Sequence, residues 1–335
     1  MKKVVQTSIK IVLPIVLGAF ALFWVYRDFD FFRAGSIFLH QMNPWWMLFS
    51  LSFGILAHVI RGLRWKQAIE PLHYRPSNYL CIDAIFLSYA TNLVVPRAGE
   101  VARCGVLKRY DNIPFSASFG TVVTERIIDM ICSFIFVLVS VFFQFNTLMT
   151  FLENTGVSIE NSTSLFSGQK LILLISGVLS ITFLCFLIFH YVGLGKKIKE
   201  KIFQMRDGLL SVAKVTNRPL YILYTIGIWA CYFFHFGLTF YCFSFTSSLG
   251  IGAALLLFVA GSFAVLVPTP NGAGPWHFAI ISGLILYGVD GVDAAAFALI
   301  VHGLQTLLVI LLGIFSMIAL QFRRKSTKFV ESRKH

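Results

Sequence analysis

Apolar residues in this chain come in long runs, not in the alternating or one-sided stripes of a water-soluble domain. A membrane-spanning helix needs about 20 mostly apolar residues. Six stretches meet or nearly meet that length: 8–26, 44–60, 121–146, 170–192, 219–242 and 294–321. Two further apolar stretches, 79–95 and 250–268, each end in a break rich in proline and glycine. The breaks read NLVVPRAGE at 92–100 and VLVPTPNGAG at 265–274. Proline lacks an amide donor, and glycine favours non-helical backbone. Irregular backbone at membrane depth survives only inside protein or beside a watery cavity. The pattern predicts an all-α integral membrane protein forming one polytopic domain over 1–335. It has about six spans plus two re-entrant hairpins, or eight spans if each break joins two full crossings. Pro96, Gly99, Pro268, Pro270, Gly272 and Gly274 are expected to shape the hairpin tips.

The two breaks resemble each other, Leu93-Val94-Val95-Pro96 against Val265-Leu266-Val267-Pro268. The offset is 172 residues, and the same offset carries 44–60 onto 216–232 and 121–146 onto 293–318. Two repeat halves, about 1–150 and 165–325, follow from that registry.

Composition supports the membrane reading. Hydrophobic residues make up 57% of the 335 and charged residues only 13%, against about 25% charged in ordinary soluble domains. Six cysteines, each alone in apolar sequence, indicate neither a disulfide scaffold nor a metal site. The net charge of +13 is informative once it is sorted by position. Short cytoplasmic loops are rich in Lys and Arg. Of 28 such residues, 20 fall in the N-terminus, 61–75, 196–218 and the tail after 322, while the alternate loops, 27–43 and 147–170, hold Arg27, Arg33 and Lys170. This alternation needs residues 79–120 to enter and leave on one side, which favours a hairpin. It places both termini in the cytoplasm and orients the two halves oppositely, as in the inverted repeats of secondary transporters. Residues 196–218 are expected to form a basic amphipathic helix on the anionic leaflet. Nucleic acid is no partner, because the positive charge lines membrane-proximal loops.

A few charges lie at membrane depth. A helix starting after Pro114 places Glu125, Arg126 and Asp129 roughly 16–23 Å along its axis. Each charge there costs on the order of 2.5–3.5 kcal/mol unless it finds a partner or water. Glu125 and Asp129, four apart, share a face. Arg126, about 100° round the helix, is placed to pair with the other break region. In the first break, Arg97 and Arg103 fall near one face if 98–108 is helical. There they would fork onto a lipid phosphate, with Glu100 setting their rotamers and Asn92 capping the tip. In the second half His277 and His302 are candidates for proton shuttling or headgroup binding. A structural ion-pair cluster and hydrogen-bonded packing histidines are the plainer alternatives.

The sequence has no phosphate loop, HExxH or GxSxG motif. No catalytic residue, cofactor or metal is therefore expected. Asn92, Pro96, Arg97, Gly99, Glu100 and Arg103, followed by Glu125-Arg126-x-x-Asp129, resemble the membrane signature of the lysylphosphatidylglycerol synthase/flippase-like family. Arg61-x-x-Arg64-Trp65 and Pro268, Pro270, Gly272 and Gly274 resemble two further elements of it. Trp276-His277 stand where many relatives carry a glutamate. The resemblance implies a multi-pass protein of the bacterial inner membrane that moves a lipid between leaflets. The soluble aminoacyltransferase domain of two-domain relatives has no counterpart before His335, so synthase activity is not expected. The expected function is a flippase-like transporter of a phospholipid or polyprenyl-phosphate-linked lipid. The alternatives are a membrane enzyme using Glu125 or Asp129 as base, and a membrane partner of a separate synthase or glycosyltransferase. Expected partners are lipids with anionic headgroups, with a second copy of the chain or a separate lipid-modifying enzyme as further ones.

Overall fold

The computed structural model describes residues 15–27, 29–154 and 206–323. The predicted span 170–192 and residues 196–205 of the basic segment 196–218 lie outside the described residues, as does the start of span 8–26. Among the described residues the fold is all-α, with no strand. Ten helices of ten or more residues carry it: α1 (Ile15–Tyr26), α2 (Phe31–His40), α3 (Pro44–Ile69), α4 (Asn78–Val94), α5 (Gly99–Asp111), α6 (Phe115–Asn154), α7 (Arg218–Gly237), α8 (Ile251–Ala264), α9 (Pro275–Leu286) and α10 (Gly291–Gln321). Between α6 and α7, residues 206–214 form a helical turn and a 3-10 turn rather than part of one helix to 218.

Local chemistry sets several boundaries. Asp30, Asn43, Ser77, Asn217 and Asp290 each accept a backbone N–H of the helix they precede. Pro44 follows Asn43 at the first helical position, where its missing N–H costs nothing. Asn112 closes α5 in the left-handed conformation (φ 53°). The long helix α6 kinks at Gln144, where φ is −123°.

Four helical segments, Pro44–Leu72, Phe115–Phe145, Arg218–Cys242 and Gly291–Gln321, are long and apolar enough to cross a bilayer. They expose side chains such as Phe134, Leu138, Ile222, Leu311 and Ile318. In water such a belt is an aggregation surface; against lipid it is the natural boundary. The helices flanking the two breaks have 17, 13, 14 and 12 residues, each short of a full span. α4 packs on α5, and α8 on α9, as two hairpins.

The first elbow is closed by Asn92, whose Oδ1 accepts from the Gly99 amide at 2.8 Å. Gly99 lies so close to α4 that a Cβ there would overlap the Ser88 carbonyl oxygen. The second elbow uses left-handed backbone at Asn271, Gly272 and Gly274 (φ 52°, 72° and 91°). α1 packs on it through Gly18 and Ala21. The elbows touch: Arg97 Nη2 donates to the Leu266 carbonyl at 3.3 Å.

α3 and α7 run antiparallel. Arg64 meets Thr225, Arg61 meets Tyr232, and Ser50 meets His235, so the numbers rise on one helix as they fall on the other. An apolar core of Phe236, Phe240, Phe258, Trp276 and Phe297 fills the second half. A second core of Trp65, Leu80, Ile85, Leu107 and Val122 joins the first hairpin to α3 and α6.

Gly99→Ala forces α4 and α5 apart and should lower stability by about 1–3 kcal/mol, whereas Gly105→Ala, with open space around it, should not. Thermal unfolding of the two detergent-purified variants checks this, and equal midpoints would contradict the packing described.

Candidate functional site: a buried arginine–carboxylate cluster

α3, α5 and α6 bring five charged side chains together away from solvent. On α6 the i, i+4 spacing puts Glu125 and Asp129 on one face, and on α3 the i, i+3 spacing does the same for Arg61 and Arg64. The two faces meet. Arg61 Nε donates to Glu125 Oε1 at 2.7 Å, and its Nη2 pairs with Asp129 Oδ2. Arg64 Nη2 lies 3.1 Å from Glu125 Oε1 and 3.1 Å from Asp129 Oδ1. From α5, Arg103 Nη1 donates to Glu125 Oε2 at 2.8 Å. Polar neighbours complete the shell. Arg61 Nη1 donates to Tyr89 Oη at 2.5 Å and to Tyr232 Oη at 3.0 Å, and the two hydroxyls share a bond of 2.6 Å. Arg64 Nη1 donates to Thr225 Oγ1. The Arg103 guanidinium lies 4.8 Å from the Trp65 ring centre, and Trp65 Nε1 donates to Thr121.

Three arginines face two carboxylates, so the buried group carries one surplus positive charge. Its donors are not all used: Nε and Nη2 of Arg103 and Nε of Arg64 are buried with no hydrogen-bond partner. Arg103 is 1% exposed and Arg64 0%. Unsatisfied charged donors at this depth are costly and call for an acceptor. At the rim, Arg126 is 44% exposed and pairs with Glu100 at 3.2 Å and Asp129 at 3.7 Å. Beyond α7's start lies a cavity of about 400 Å³ lined by Val212, Ala213, Val215, Arg218, Tyr221 and Ile222. The Tyr221 ring in its wall lies 5.9 Å from the Arg64 guanidinium.

Several expectations need correcting. Arg97 stands outside α5 in left-handed backbone (φ 63°) and reaches the second elbow, while Arg103 is buried on Glu125. The two do not converge on one phosphate, because α5 begins only at Gly99. Glu100 does not orient them; it pairs with Arg126, which therefore meets the first break and not the second. Arg61 and Arg64, counted among the cytoplasmic loop charges, lie in the continuous helix α3 at the centre of the cluster. Tyr89, Tyr232 and Thr225 were missed altogether, since a hydroxyl in an apolar run leaves little sequence signal. His277 and His302 sit together at the second elbow, ring centres 4.5 Å apart. His277 Nδ1 accepts from the Gly274 amide, and His302 Nε2 bonds the Asn271 carbonyl at 3.0 Å. Both hold the elbow in shape. Among the described residues no group of His, Cys, Asp and Glu could hold a metal ion.

These features define a polytopic all-α membrane protein with paired helix breaks and an ion cluster inside its spans. The chain belongs to the family described as the lysylphosphatidylglycerol synthase TM region, whose model matches residues 11–313. Among relatives, the UPF0104 membrane protein MJ1078 of Methanocaldococcus jannaschii is 26% identical over 235 residues, 67% of this chain and 91% of that protein. The UPF0104 membrane protein MJ1595 of the same organism is 30% identical over 94 residues, 27% of this chain and 28% of that protein. Glycosyltransferase AglD of Haloferax volcanii is 35% identical over 78 residues, 23% of this chain and only 12% of that protein's length. No solved structure matches the chain.

Removing one partner of a buried ion pair costs about 3–5 kcal/mol, whereas an exposed pair contributes about 1 or less. Glu125→Gln, which leaves Arg103 without a carboxylate and Arg61 and Arg64 sharing Asp129 alone, should therefore sharply lower the unfolding midpoint, and Arg126→Gln should scarcely move it. Thermal unfolding in detergent reads both, and a tolerant Glu125→Gln would show that the cluster does not hold the helices.

Proposed function

We propose that the protein moves a lipid with an anionic headgroup, a phospholipid or a polyprenyl-phosphate-linked lipid, between the leaflets of the cell membrane. The observation that carries this reading is the surplus positive charge of the Arg61–Arg64–Arg103–Glu125–Asp129 cluster with its unused guanidinium donors. A phosphate oxygen is the acceptor that such forks suit. The cavity beside Tyr221 supports access from one side, and the half-exposed Arg126–Glu100 pair can part and re-form as a headgroup passes. Arg97, at the contact of the elbows, would meet the headgroup next. The matching order of elements in the two halves and the antiparallel α3 and α7 support an inverted repeat. With it goes the topology that puts the basic loops and both termini in the cytoplasm. Transport is preferred to chemistry because Glu125 and Asp129 are both already engaged by arginines, which suits a structural ligand better than a free base.

The partial likeness to a glycosyltransferase favours a second reading, in which the chain works beside a separate enzyme on lipid-linked substrates. Reconstitution separates them. Vesicles of phosphatidylethanolamine and phosphatidylglycerol carrying a fluorescent phosphatidylglycerol should show protein-dependent crossing without a new lipid species. Arg126→Ala and Arg97→Ala should each slow it by about tenfold or more, roughly 1.4 kcal/mol of barrier. A new lipid product from the purified chain, or crossing unaltered in both variants, would overturn this reading.

A further inference from the structure

The face of α3 that meets α7 carries a polar line inside the span: Ser50, Gly54, His58, Arg61 and Arg64, spaced three or four apart. His235 of α7 lies over Gly54, its Nδ1 2.8 Å from the Ser50 carbonyl. Gln305 of α10 reaches the His235 carbonyl at 3.4 Å. One turn further along, His58 is 6% exposed, and its Nδ1 is buried with no hydrogen-bond partner. Such a nitrogen is uncommon and needs a reason. The His58 ring centre is 4.1 Å from that of Tyr89 and 6.2 Å from that of Tyr232. Through those hydroxyls it stands next to Arg61. The groups facing it are Tyr89 and Phe86 from α4, Tyr232 and His235 from α7, and Arg61 on its own helix. Glu125 and Asp129 reach this neighbourhood only through Arg61.

We propose that His58 is a proton site coupled to the ion cluster, so that an anionic lipid crosses together with a proton. The proposal rests on the transport reading above. An anion in the cluster and a proton on His58 attract each other through a medium of low dielectric, so binding of either favours the other. The imidazole gains the proton from water on one side and returns it to water on the other, and no other bond changes. A monoanionic headgroup and a proton together carry no charge. Transport is then driven by a pH gradient and is indifferent to voltage.

The test uses the full chain in the same vesicles, with the fluorescent phosphatidylglycerol as probe, under an imposed pH gradient or an imposed potential. For one proton per lipid, the probe's ratio between leaflets should shift about tenfold per pH unit and stay fixed when the potential changes. His58→Gln, which binds no proton, should reverse this. The pH response should vanish, and a potential of about 100 mV should shift the ratio by up to roughly fiftyfold. His58→Asn, which also binds no proton, should lose the pH response in the same way and serves should His58→Gln misfold. Wild type responding to voltage and not to pH, or a His58→Asn protein that keeps the full pH response, overturns the proton site and leaves the transport reading standing. Absence of any protein-dependent crossing overturns the transport reading, and this inference with it.

Discussion

Everything in the first half of the molecule is organised around Glu125. It accepts from Arg61, Arg64 and Arg103 and so joins α3 and α5 to α6 at a depth where no water competes. The constraint is severe, because a carboxylate in the bilayer interior is tolerated only with its lone pairs filled. Three guanidinium groups fill them and bring one more positive charge than Glu125 and Asp129 together cancel. The cluster thus locks the helices and leaves an electrostatic demand unmet. A cluster built only to lock them would be balanced more simply by equal numbers. The surplus, with the unpartnered Nε and Nη2 of Arg103, is what the proposed headgroup binding would use.

The described parts of the two halves differ in chemistry. Moved along by 172 residues, Arg61, Arg64, Glu125 and Asp129 fall on Phe233, Phe236, Phe297 and Val301. Phe236, Phe297 and Val301 belong to the aromatic core of the second half, and Phe233 packs against it. One half is cemented by ion pairs and hydroxyls, the other by ring packing, with Phe236 set edge-on to Phe240 and to Trp276. The second elbow is held by imidazoles and backbone turns where the first uses Asn92 and close helix contact. On the transport reading proposed above, the headgroup chemistry would belong to the half that holds the ion cluster. The described part of the other half is packed with apolar and aromatic side chains.

Much of this was legible in the sequence. Run length predicted four of the six spans as long apolar helices among the described residues, and the Pro/Gly breaks predicted the elbows, because both signals are local. The shared face of Glu125 and Asp129 followed from helical spacing alone. Partner choice did not. Arg61 and Arg64 ended the apolar run at residue 60, and hydropathy treats arginine as a water-seeking residue wherever it stands. Only the packing of α6, more than 60 residues away in sequence, turns them from boundary charges into the centre of the site. The Arg97 and Arg103 pairing failed for a local reason. Helix α5 starts two residues after Arg97, so the assumed common face does not exist. His58 and Tyr232 carried no sequence signal beyond being polar in apolar runs.

The central claim is that the buried cluster holds an anionic headgroup at Arg103. Native mass spectrometry of the purified full chain tests it most directly, with wild type compared against an Arg103→Gln variant that remains monodisperse. The account predicts that wild type retains a lipid with an anionic phosphate headgroup and that the variant loses it while keeping neutral annular lipids. The same anionic lipid retained equally by both proteins would contradict it.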